Sequence, residues 1–120
     1  ALRLSLDRLE REAEALGIEV PKDTKGKGKA KSALKLRYSS VAVNPTNGHY
    51  YLLSAVDRTL LVVDRSGSLV DLVFLDPKLL PKAEGITFTP DGAMWLSSEG
   101  KGRSPVLVRY ALKKERSAKP

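Results

Sequence analysis

The 120-residue sequence predicts an all-β chain built from repeated four-stranded antiparallel sheets, and three observations predict it. Residues 83–99 (AEGITFTPDGAMWLSSE) alternate through Gly85 to Thr89, turn at Pro90-Asp91-Gly92 and resume as the run Ala93 to Ser98, the pattern of a β-hairpin. Residues 40–54 (SVAVNPTNGHYYLLS) repeat that design with one extra turn residue. Pro45 aligns with Pro90, Gly48 with Gly92 and Tyr51 with Trp95, an offset of about 45 residues, which is in the range of propeller blades. Between the copies lie two more strand candidates, Leu60 to Asp64 and Leu69 to Leu75, joined by the turn Arg65-Ser66-Gly67. One repeat therefore supplies the four strands of a β-propeller blade.

Leu2 to Leu6 (LRLSL) resembles the strand candidate Val106 to Ala111 (VLVRYA) and reads as the end of a preceding blade. Asp7 to Leu16 turns helical, because Leu6, Leu9, Ala13 and Leu16 form one stripe and Gly17 is a natural stop. That stripe is thin, so this short inserted helix is expected on the propeller surface as part of a loop insertion. Pro21 to Ser32 (PKDTKGKGKAKS) has too few apolar residues to offset the entropy of ordering and is expected to be a mobile loop. Residues 1–32 thus hold a blade end, the helix and the Lys/Gly-rich loop.

Residues 33–82 make a complete blade and its connector. Val41 and Val43 point to one face and Ala42 to the other, as an inner strand with neighbours on both sides requires. The connector Asp76 to Lys82 is stiffened by two prolines, with Leu79 and Leu80 expected to cap the interface between blades. Residues 83–112 form a last blade lacking its outer strand, and 113–120 a polar tail. Bare blade faces need neighbours, so the expectation is the C-terminal part of a larger propeller. Its partners would be the remaining N-terminal blades of the same protein, on this chain or as a separate or cleaved one.

Charge narrows the function classes. The chain carries 21 basic and 14 acidic residues, but residues 22–37 hold seven of the bases with one acid, whereas 38–112 hold seven of each. The excess lies on appendages, and Tyr50, Tyr51 and Trp95 sit in strands rather than among lysines, so nucleic acid is not an expected partner. The lysine cluster has no apolar anchor beside it and does not read as a membrane contact. With no cysteine, disulfides and thiolate metal sites are excluded. No run has the roughly 18 apolar residues of a transmembrane helix. Gly100 to Ser104 (GKGRS) lacks the spacing of a phosphate loop. His49, the single histidine, has no acid, serine or second histidine in a catalytic or metal spacing and reads as an exposed turn residue.

Antiparallel pairing sets the start of one strand beside the end of the next. Glu84 and Glu99 should therefore meet at one edge, which blade geometry shares with Ser39, Ser54, Asp57 and Arg58. The plainer reading of both acids is solvated loop residues.

The run KAEGITFTPDGAMWLSSEG over 82–100 resembles the SdiA-regulated family of bacterial β-propellers, whose segment is close to QPEGI-F-PDG-LYI-NEG. The preceding YSSVAVNPTNGHYYLLSAVDRTLLVVDRSG is similar to the family's PSAIAIHP-TG-LY-LS-VD-LLVVD-G, and the likeness covers Ala33 to Leu112. Departures are Lys82 for glutamine, Ala83 and Tyr38 for proline, Asn44 for histidine and Ser98 for asparagine. The resemblance implies about six blades, an exported, periplasmic or cell-envelope protein, and in some members calcium near the central channel. Glu84 and Glu99 fall on the family's EG positions.

Carboxylates with hydroxyl and carbonyl oxygens suit calcium, provided other blades complete the site. The leading expectation is thus a non-enzymatic binding module with a ligand or calcium site at the channel mouth: Glu84 and Glu99 as metal ligands, Ser39, Ser54, Asp57 and Arg58 as polar neighbours. The alternative is a metal-dependent phosphoesterase or lactonase-like hydrolase, with Arg58 and Lys82 positioning substrate. No nucleophile and base are paired in the sequence to support it.

Overall fold

A computed structural model describes residues 2–20, 22–23, 31–32, 34–99, 102 and 104–111; in it, two antiparallel sheets pack face to face and one helix lies against the far face of the first. The helix, α1 (Leu6–Ala15), starts where the Ser5 hydroxyl accepts from the Arg8 N–H, and Asp7 places a negative charge in its first turn. It ends in a Schellman motif. Gly17, at φ 75°, and Ile18 donate their backbone N–H groups to the Glu14 and Ala13 carbonyls. Residues 2–5 pair with no strand of this chain, and Leu6, read from sequence as the end of a strand, belongs to the helix that Ser5 caps.

A short ladder of β1 (Lys22–Asp23) and β2 (Lys31–Ser32) lies within the stretch expected to be loop. Pro21 and 24–30 fall outside the described residues, as do Gly100, Lys101, Arg103 and the tail 113–120. The first sheet runs β3 (Ser40–Val43), β4 (Tyr50–Ser54), β5 (Thr59–Val63), β6 (Leu69–Phe74). The second runs β7 (Ala83–Phe88), β8 (Met94–Ser98), β9 (Val106–Tyr110). The four-strand and three-strand blades of the sequence reading are both present. Gly48 and Gly92 supply the left-handed φ that each repeat's hairpin turn requires, at 77° and 88°. Asn44 and Asp91 steady these turns, accepting from the backbone N–H of Thr46 and of Ala93 at 3.0 and 3.1 Å. The two turns stand side by side: a Cβ on Gly92 would lie 3.4 Å from the Thr46 methyl. The opposite strand ends, near Ser39, Ser54, Glu84 and Glu99, therefore share the other edge.

Strand alternation divides the first sheet between two cores. Tyr51, Leu53, Leu60 and Val62 face the second sheet and meet Ala83, Met94 and Leu96, with the Tyr51 ring edge-on to Phe88 at 4.9 Å. Leu61, Val63, Leu69 and Leu72 face the other way, onto Leu9 and Ala13 of α1. Every residue of β5 is consequently buried. The connector sends Leu80 into the inter-sheet core, while Leu79 stays exposed and is not part of that core.

The helix is half of a core rather than a surface insertion. Its stripe continues beyond its ends through Leu4, Ile18 and Val20, and polar ties hold it in place. Arg8 Nη2 donates to Ser68 Oγ at 2.8 Å, and Glu12 accepts from the Leu69 N–H of edge strand β6 at 3.2 Å.

It does not reach β3, where Val41 and Val43 remain 60% and 49% exposed. In repeat register these match Ile86 and Phe88, which pack under the first sheet. On the far face of the second sheet Leu107 is 64% exposed, although its counterpart Leu60 is only 2% exposed. No described helix is long and apolar enough to cross a membrane.

Candidate functional site

The edge bearing Glu84 and Glu99 is shaped by a bulge at the start of β7. Ala83 pairs with Ser98 and Gly85 with Ser97, leaving Glu84 as the extra residue, out of the strand's alternation. Glycine follows, and a Cβ at 85 would meet the Ser97 hydroxyl, which would have to rotate to make room. Just before the strand, the Lys82 N–H donates to the buried Ser98 hydroxyl at 3.0 Å, which fixes the root of the lysine. Its ammonium then lies 3.5 Å from Glu84 Oε1 and 3.7 Å from Glu99 Oε2. Three partly exposed charged groups thus converge, two acids with a cation between them.

The first sheet's candidates are placed differently. The Ser39 hydroxyl donates to the Leu53 carbonyl at 3.1 Å. Ser54 is fully buried and its hydroxyl accepts from the Asp57 N–H at 3.2 Å. Asp57 accepts from the Lys35 and Leu36 N–H groups at 2.8 and 3.0 Å, one to each carboxylate oxygen, and so fastens the segment entering the blade. Burial, and then the Asp57 carboxylate, push the nearby Tyr38 hydroxyl above the ordinary tyrosine range. Arg58 occupies a left-handed turn position at φ 54°, where its carbonyl accepts from the Leu75 N–H. The structure brings Glu84 and Glu99 together; Ser39, Ser54 and Asp57 make hydrogen bonds that hold their own blade.

Lys82 as the central member of the acid pair, and the bulge, escaped the sequence reading. The bulge had a signal: a glycine directly after a charged residue inside a strand pattern.

Calcium takes about six to eight oxygen ligands. Among the described residues no three His, Cys, Asp or Glu side chains gather, and the Lys82 ammonium lies between the two acids. As arranged, this pair does not fit calcium.

At the turn edge, Asp64 is held below the usual carboxylate range chiefly by the Ser66 hydroxyl, and Asp91 by that of Thr89 and then the Ala93 N–H. A folded-state pKa below the unfolded value adds stability above about pH 4 that is lost as pH falls through the lowered value. Urea unfolding from about pH 6 down to 2 should show stability falling at the acid end. The double variant Asp64→Asn, Asp91→Asn should flatten that fall; an unchanged slope would mean that these turns carry no acid sensitivity.

The family model described as SdiA-regulated matches residues 10–101. No curated protein and no solved structure matches.

Proposed function

Because the chain belongs to the SdiA-regulated family, we propose that it is the non-enzymatic binding part of a propeller, with a site for a small charged ligand at the Glu84–Glu99 edge. The observation that carries this is the bulge. It takes Glu84 out of the strand's register at the point where Lys82 and Glu99 also end, a device used to re-aim side chains near sites. The mixed charges favour a zwitterion, whose anion meets Lys82 and whose cation meets the outer carboxylate oxygens. Further blades of the protein, covering Val41, Val43 and Leu107, would complete the site. An exported or envelope-associated setting belongs to the same proposal.

Thermal shift with three probes tests the reading: glycine as zwitterion, putrescine as cation and acetate as anion. Glycine should raise Tm most, and the double variant Glu84→Gln, Glu99→Gln should abolish that rise. No shift with glycine would count against the site. Turnover of p-nitrophenyl phosphate or a simple lactone, lost in Glu84→Gln, would replace binding by hydrolysis.

A further inference from the structure

We infer that Lys82 is a built-in cation for the Glu84–Glu99 pair, occupying the place of a bridging divalent ion, so that this edge works without metal. The inference rests on the reading of this edge as the ligand site and specifies its ion requirement. The bulge and the end of β8 bring two carboxylates to one edge, where they would repel each other or recruit a cation. Lys82 answers that need from within the chain. Its backbone is anchored on the buried Ser98 hydroxyl, and its ammonium reaches one oxygen of each acid, at 3.5 and 3.7 Å.

A bridging calcium ion would sit about 2.3–2.6 Å from those carboxylate oxygens, within a few ångströms of the ammonium. The lysine would have to swing away, giving up both ion pairs, before the metal could enter. A neutral residue of similar length would impose no such barrier. Position 82 therefore decides whether the acid pair is open or closed to divalent ions.

The experiment is a calcium titration of the chain, read by Tm and by isothermal calorimetry, with EDTA as the metal-free reference. Wild type should show no calcium-dependent rise in Tm and no binding heat at millimolar calcium. Lys82→Gln should gain both responses, with water supplying the oxygen ligands that the two carboxylates do not, and adding Glu84→Gln and Glu99→Gln to it should remove them. Lys82→Arg keeps the positive charge and should remain insensitive. Far-UV circular dichroism checks that each variant is folded; should Lys82→Gln unfold, the wild-type titration and Lys82→Arg still decide. A wild-type rise in Tm equal to that of Lys82→Gln, a wild-type loss of Tm in EDTA, or a folded but unresponsive Lys82→Gln would each overturn the inference. None of these results depends on the glycine shift, so the ligand reading and the metal reading can fail separately.

Discussion

Leu53→Ala is expected to lower the free energy of unfolding by about 3–4 kcal/mol. Leu53 is fully buried on β4 and packs toward the second sheet in the cluster that contains Tyr51, Leu60 and Leu96. Each sheet is held by its own backbone ladder, so neither can close onto the void that truncation leaves, and a cavity term adds to the lost transfer energy. Urea unfolding measures it, with Val43→Ala as the control. Val43 is half exposed on the opposite face, so its truncation should cost at most about 0.5 kcal/mol. Equal costs at the two positions would mean that the sheets do not pack across Leu53.

Asp57→Ala is expected to cost about 2 kcal/mol. Its carboxylate accepts two backbone N–H groups, and hydrogen bonds to a charged group are worth roughly 1.5–3 kcal/mol each when well shielded. Asp57 is only partly buried, so the sum is discounted for solvent screening. Hydrogen exchange supplies a specific readout: the Lys35 and Leu36 amides should lose protection while those of β8 keep theirs. Asp57→Asn, which retains one acceptor oxygen, should lie between wild type and alanine. A glycine-induced Tm rise lost in Asp57→Ala with Lys35 and Leu36 still protected would return Asp57 to the ligand site and end its role in fastening the segment that enters the blade.

These two residues show how unevenly the sequence can be read. Leu53 was legible, because alternation in YYLLS puts Tyr51 and Leu53 on one face whatever covers it. Asp57 was legible as a polar residue at a strand edge, but its partners lie 21 and 22 residues away on a segment with no periodicity to announce it. The same holds for Glu12 and the Leu69 N–H, 57 residues apart. The edge pairing of Glu84 with Glu99 followed from antiparallel geometry. The cation between them did not, because neither charge pattern nor spacing says where a lysine one residue outside a strand will reach.

The sequence by itself determined the repeat, the strands of the two blades and their order, both hairpin turns, the helix and its stop, and the shared edge of the acid pair. These are set within a dozen or so residues, by alternation, by glycines at left-handed turn positions and by capping. Only the tertiary structure decided that α1 covers half of a blade face, that a bulge takes Glu84 out of register, that Asp57 fastens the segment at Lys35 and Leu36 and that Lys82 lies between two acids. A local pattern fixes which side chains share a face or an edge. What meets that face is chosen by competition among distant segments for burial and for hydrogen-bond partners, and this competition is settled only when the sheets pack.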